Sequence, residues 1–260
     1  MRRLNIFQIL RLIPVVFISF YGCHVGFQHF GDFSIKYLEN GCKVLTDGMG
    51  RELLLVPRGH KASKEYKGAQ KVEIPVRKVV VYSTTTAAMI KELGVVESLA
   101  AVTTKKENWY IPEIRKGIEE GEVVYLGEYN SIDYEKLKLL NPDVVFTWDK
   151  GIIPKLNELG IPCVITYSGI AQGLIARIKF MQFLSAFYNQ EDKAKTFVER
   201  QLKRIDEVAA KTNEAKKDLK AVWADIYERK VLVEPGNAWT AQVVERAGGK
   251  YIFHDLEGGS

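Results

Sequence analysis

The 260-residue chain contains no Gly-x-Gly-x-x-Gly, no Gly-x-x-x-x-Gly-Lys and no Gly-x-Ser-x-Gly. It therefore carries none of the glycine-shaped turns that cradle a dinucleotide, seat a nucleotide phosphate or raise a nucleophilic serine. Histidine is scarce: His24, His29, His60 and His254 are the only four. None follows a strand of the central region, so a Ser-His-Asp triad or a multi-histidine metal site has no donors there. Carboxylates are plentiful, but none forms a spaced pair in a strand-end loop of the kind acid-base catalysis needs. Three cysteines, Cys23, Cys42 and Cys163, are too few for a disulfide scaffold. Cys42 and Cys163 could pair or could serve as small buried apolar groups. The charge balance of 37 basic against 32 acidic residues gives +5, with no basic patch interleaved with aromatics, which argues against nucleic acid. The lysine-rich stretch Lys211 to Lys220 reads as a solvated helix end and linker. Together these absences point away from an enzyme and towards a binding protein.

What is present begins with an export signature. Arg2, Arg3 and Arg11 precede the apolar run Leu12 to Tyr21, which ends in Gly22-Cys23. A basic start, a short apolar stretch and a small residue describe a signal segment rather than a membrane span. Phe20-Tyr21-Gly22-Cys23 also resembles a bacterial lipobox, in which the cysteine becomes the lipid attachment site. Tyr21 and Phe20 depart from the usual pattern, so a plain signal and an uncleaved anchor remain as alternatives. Each places the mature protein outside the cytoplasm.

Further on, Phe33 to Pro57 reads as a β-hairpin with an extra strand, turning at Asn40-Gly41. Arg58 to Gln70 reads as a connecting loop. From about Val72 to Ser168, short apolar runs starting near Val79, Leu99, Val123, Val144 and Cys163 alternate with helical segments. Such runs predict strands buried on both faces of a parallel sheet. Ligands of such sheets lie beyond the carboxyl ends of the strands, where this chain places tryptophan and tyrosine. Two helices are expected next, over Ala171 to Tyr188 and Glu191 to Thr212, the second amphipathic and roughly 30 Å long. Ala221 to Ala224, Lys230 to Val233, Trp239 to Ala247 and Tyr251 to Phe253 then open a new α/β unit. These segments divide the chain into a signal segment (1–22), a tether and β-hairpin extension (23–70), a first α/β lobe (71–168), helices including a lobe-joining spine (169–215) and the start of a second lobe (216–260).

Several segments in this order resemble the substrate-binding proteins of ABC importers for iron complexes, haem and corrinoids. They are Val79 to Thr85, Leu93 to Leu99, Tyr134 to Leu137 with Leu140 to Phe146, Leu156 to Pro162, and Val243 to Gly249. The leading segment around Asp47-Gly48 and Arg51 to Gly59 is similar to an extension on one subgroup of iron-complex binders. The resemblance implies an α/β, two-lobed periplasmic-binding-protein fold joined by a single long helix, with the second lobe incomplete at Ser260 and little closure on binding. It implies a monomer with no cofactor that holds a metal chelate in its cleft and delivers it to an ABC importer permease. On that basis the first-lobe ligand candidates are Ser83, Thr84, Trp109, Tyr110, Tyr129, Trp148 and Tyr167. The second-lobe candidates are Trp223, Tyr227 and Trp239. For each aromatic the alternative is packing against a neighbouring helix. Ser83 and Thr84 open a helix whose free N–H groups favour an anion. Glu135 matches the position that docks the first lobe onto the permease, or serves as a favourable charge at a helix start. A secreted α/β hydrolase or transferase, and a non-transporting interaction module, are the alternatives to transport.

Overall fold

The computed structural model describes residues 26–166, 173–215 and 219–258. Both Cys23 and Tyr167 lie outside them, as does the signal segment. The N-terminal part is a five-stranded sheet of β1 (Phe27–Phe30), β2 (Phe33–Tyr37), β3 (Lys43–Thr46), β4 (Glu52–Pro57) and β5 (Gln70–Ile74), in that spatial order. The first four strands run antiparallel, and β5 pairs parallel to β4. The β2–β3 turn uses Asn40-Gly41: Gly41 takes φ +79°, and the Asn40 side chain accepts from the Cys42 amide at 3.1 Å. Strand alternation sorts the side chains. Phe33, Ile35, Leu45, Leu53, Leu55, Val72 and Ile74 enter the main core, while Cys42, Val44, Leu54 and Val56 form a smaller one on the opposite face.

The sequence pattern assigned Val72 to the α/β region; its strand instead completes the N-terminal sheet. That region starts at β6 (Val79–Val81) and alternates through α1 (Thr84–Glu92), β7 (Leu99–Val102), α2 (Pro112–Glu120), β8 (Val124–Tyr125), α3 (Tyr134–Leu140), β9 (Val144–Thr147), α4 (Ile153–Glu158) and β10 (Cys163–Ile165). All five strands are parallel, in the order β10-β9-β6-β7-β8. The five segments expected as neighbouring parallel strands are those strands. Valine dominates them because both faces are covered: Val79 and Val81 face one core, Val80 and Val145 the other. Since β7 and β8 extend the sheet on one side of β6 and β9 and β10 on the other, the order reverses between β6 and β9. That is the topological switch point, beyond whose carboxyl ends open α/β sheets bind ligands.

The chain continues through α5 (Leu174–Ser185) and α6 (Glu191–Ala215), a 25-residue helix about 37 Å long. Helix α5 is sandwiched between the two sheets: Phe180 and Phe183 meet Phe33 at centroid distances of 4.8 and 4.9 Å, and Phe187, just past α5, meets Phe146 at 5.0 Å. Full burial of rings such as Phe33, Phe183 and Phe187 contributes roughly 1.5–3 kcal/mol each. The last elements are β11 (Lys220–Ala221), β12 (Ala224–Tyr227), β13 (Lys230–Val233), α7 (Trp239–Arg246) and β14 (Lys250–Tyr251). Strand β11 pairs parallel with β14, and β12–β13 form a hairpin whose turn residues Glu228 and Arg229 both have positive φ. Ile226, Val231 and Leu232 of that hairpin are exposed. Helix α7 docks on α5, where Gln242 accepts from the Leu174 amide at 2.9 Å. Cys42 and Cys163 are buried free thiols.

Candidate functional site

The loops beyond the carboxyl ends of β6, β8 and β9 build the candidate site. After β6, Ser83 adopts extended backbone and caps α1, its hydroxyl accepting from the Thr85 amide at 3.2 Å. Thr84 is exposed at the first helical position, and no acid occupies the first turn, so the positive end of the helix faces the loops uncompensated.

After β9, the chain is pinned on both sides of Trp148. Buried Thr147 accepts from the Asp149 amide through its hydroxyl at 2.9 Å, and its carbonyl accepts from the Thr166 amide at 2.8 Å. Asp149 in turn accepts from the Gly151 amide at 2.8 Å. With the backbone so held, the Trp148 indole projects outward, 39% exposed. Tyr129 reaches it from the loop after β8, with ring centroids 4.7 Å apart and tilted by 54°. That loop needs a glycine: Gly127 has φ +100°, and a Cβ there would lie 2.5 Å from the Ser131 carbonyl oxygen. The same loop presents Glu128, which pairs with Lys105 from the loop after β7 at 2.7 Å. Lys105 holds the Glu128 carboxyl below its ordinary range, and the carboxylate in turn raises Lys105.

The other predicted residues fall elsewhere. Trp109 is 2% exposed within the main core, and its indole N–H donates to the Thr104 carbonyl at 3.0 Å. It is enclosed in the core rather than presented at the strand ends. Tyr110 is 97% exposed and lines a shallow recess on α2 with Arg115 and Lys116. Trp223 and Trp239 lie 6.0 Å apart in the last unit, and Trp239 packs under the Arg177 guanidinium at 4.7 Å. Tyr227 is exposed on the β12–β13 hairpin. Glu135 is exposed at the second position of α3, which Asp133 caps by accepting from the Lys136 amide at 2.9 Å. The structure thus brings Tyr129 against Trp148 and Trp223 near Trp239, while Ser83 and Thr84 lie in another strand-end loop, the one after β6.

Two features had escaped the sequence pattern. Tyr82, directly after β6, is buried with no hydrogen-bond partner for its hydroxyl among the described residues. Burial foremost, with Tyr134 and Asp149 adding to it, pushes its ionisation well above the ordinary range. Arg177 is the second, a cation in the otherwise largely apolar α5. Among the described residues no three His, Cys, Asp or Glu side chains are grouped to hold a metal ion. The strand-end surface offers aromatic faces, hydroxyls and one ion pair, a set suited to binding a planar or partly apolar solute.

With the parallel sheet, its switch point and the long α6 established, comparison with known proteins places the chain. Residues 79–260 match the periplasmic binding protein family, and the chain belongs to it. An uncharacterised lipoprotein of Methanocaldococcus jannaschii is 28% identical over 232 residues, spanning 83% of this chain and 56% of that protein. A vitamin B12-binding protein of Vibrio campbellii is 24% identical, spanning 69% of this chain and 62% of that one. The chain therefore spans 56–62% of the length of these curated relatives. Among solved structures, the periplasmic haem-binding protein HutB of Vibrio cholerae superposes with a TM-score of 0.55 at 18% identity, over 70% of this chain and 68% of that one. At that identity the likeness speaks for the fold.

Proposed function

We propose that this protein is an extracytoplasmic solute-binding component that captures a metal chelate, an iron complex foremost, and delivers it to an ABC importer permease. The observation that carries this reading is the exposed Tyr129–Trp148 pair beside the sheet's switch point, in a chain of the periplasmic binding protein family. Relatives named for vitamin B12 and for haem support a metal macrocycle or chelate as the ligand class. The rings would stack on the ligand's apolar faces, while Ser83, Thr84 and the α1 N-terminus meet an anionic group on it. From the last unit, Trp223 is the open aromatic, since Trp239 is engaged with Arg177. In this reading Glu135 docks the permease and Cys23 carries the lipid that holds the protein at the membrane; the M. jannaschii relative, described as a lipoprotein, supports the latter. Among the described residues no helix is long and apolar enough to cross a membrane.

Tryptophan fluorescence titration with a ferric siderophore, haemin and cyanocobalamin tests the reading. At least one chelate should quench saturably, and Trp148→Phe should lower the response, leaving the share that comes from the open Trp223, because Trp109 is enclosed in the core. No saturable quenching by any of the three would overturn chelate capture; unchanged quenching in Trp148→Phe would move the site away from the strand ends.

A further inference from the structure

A second recess lies away from the strand ends, where α1, α5, α6 and α7 meet. Its volume is about 580 Å³, within the range of small-molecule pockets. Phe197, Ile178 and Trp239 supply apolar lining, and Arg177, Arg200 and Arg204 supply three guanidinium groups. Among the described residues the only carboxylate in the lining is Glu92, which meets Arg200 at 3.8 Å. Arg177 and Arg204 make no ion pair among the described residues.

Two of the three cations are held against aromatic faces. Arg177 sits 4.7 Å from the centre of the Trp239 ring and Arg200 5.5 Å from that of Phe197. A guanidinium laid on a ring keeps its N–H edge available for a carboxylate or phosphate oxygen. Partial burial pulls Arg177 below the ordinary arginine range, with Glu234 opposing it from farther off. Such a charge gains from an anion that can share its recess. Inorganic anions would satisfy the guanidinium edges but leave the Phe197, Ile178 and Trp239 surfaces wet. Neutral apolar molecules would cover those surfaces and leave the cations unpaired. The lining fits one ligand that does both.

We propose that this recess is a binding site for a small organic acid with an apolar body, its acidic group held by Arg177 and Arg204. The site is distinct from the strand-end surface and involves none of Ser83, Tyr129 or Trp148. Because its walls come from α5 and α6 on one side and α7 on the other, an occupant would also bridge the first α/β unit to the last one.

Isothermal titration of the protein with decanoate, decylammonium and inorganic phosphate provides the test. Decanoate should bind one to one, and decylammonium and phosphate at least tenfold more weakly. Arg177→Gln/Arg204→Gln should lower decanoate affinity at least tenfold with an unchanged circular dichroism spectrum, and Trp148→Phe should leave it unaltered. Equal binding of decanoate and decylammonium would overturn the proposal, showing a plain apolar surface. So would phosphate binding as tightly as decanoate, or full affinity in the double arginine variant.

Discussion

Asp47→Ala should destabilise the protein by about 3–5 kcal/mol, although Asp47 lies outside both candidate sites and outside the span that matches the family. Its carboxylate is fully buried. It accepts from the amides of Met49 at 3.0 Å and Arg51 at 3.1 Å, from Arg51 Nε at 3.0 Å and Nη2 at 2.6 Å, and from the Ile165 amide at 3.0 Å. Removing it strands the Ile165 amide inside the protein, at about 1–3 kcal/mol. It also leaves the Arg51 guanidinium beside the sheet without its counter-charge. Arg51 is 27% exposed and retains the Cys163 carbonyl at 3.0 Å, so water recovers part of that loss and the total stays within the range given for a broken buried pair. Asp47→Ala/Arg51→Met removes both charges and should recover 1–3 kcal/mol of the deficit as a coupling energy. Urea unfolding followed by tryptophan fluorescence measures each variant. A loss below 1 kcal/mol in Asp47→Ala, or strict additivity in the double variant, would refute the view that this buried pair ties the N-terminal sheet to β10.

Trp109→Ala should cost about 3–5 kcal/mol of stability in the same assay while leaving chelate titration at Trp148 in place, because the indole fills core rather than cleft. Tyr82→Phe should be neutral or stabilise by up to about 1 kcal/mol, since it removes a buried hydroxyl that has no partner among the described residues; a marked loss would show that the hydroxyl is bonded. Stability should fall above pH 10. Burial raises the ionisation of Tyr82 and Tyr188 strongly and that of Tyr37 to about 12, so the unfolded chain releases these protons first. Their contribution is whole below pH 10 and, for Tyr37, is lost as the pH climbs through 12. Lys43, lowered chiefly by burial, acts in the opposite sense, adding stability as the pH approaches its ordinary value of 10.5. Lys43→Met should therefore steepen the alkaline decline seen in pH-dependent urea midpoints.

Local chemistry made much of the fold legible. The five parallel strands announce themselves as valine-rich runs covered on both faces, and α6 as a long amphipathic stretch. Asn40-Gly41 marks its turn because glycine accepts the φ of +79° found there. Pairing of distant segments is not written in that way. Val72 has the same apolar neighbours whether it opens the α/β region or closes the N-terminal sheet, and only the parallel register with Leu55 decides. The candidate site shows the same limit. Trp109 and Trp148 both follow apolar strands within a few residues, so sequence position gave them equal standing. They part because the Trp109 indole reaches back to the Thr104 carbonyl and is covered, whereas the loop around Trp148 is pinned by Thr147 and Asp149 with the ring outside. Arg177 shows the same limit: as one of two cations, with Lys179, in a largely apolar helix it gains meaning only from the α6 arginines and the α7 tryptophan that folding brings to it.

The N-terminal sheet precedes the span that matches the periplasmic binding protein family, yet it shares the core of the first α/β unit. Phe33 packs on α5, and Asp47 with Gly48 holds the end of β10 through Ile165. Lys43 reaches across to the Ala186 carbonyl at 3.0 Å, to Asn189 at 2.8 Å and to Glu191 at the start of α6. The extension therefore anchors the strand adjoining β9 and the base of the long helix. A stacking pair such as Tyr129–Trp148 gains affinity when its backbone is already fixed before the ligand arrives, because less freedom is then lost on binding. Loosening β10 would release the Thr166–Thr147 bond that holds the Trp148 loop. Under the proposed function, the N-terminal sheet would influence chelate capture from outside the Tyr129–Trp148 site. Asp47→Ala should then weaken chelate binding even at temperatures where the variant remains folded.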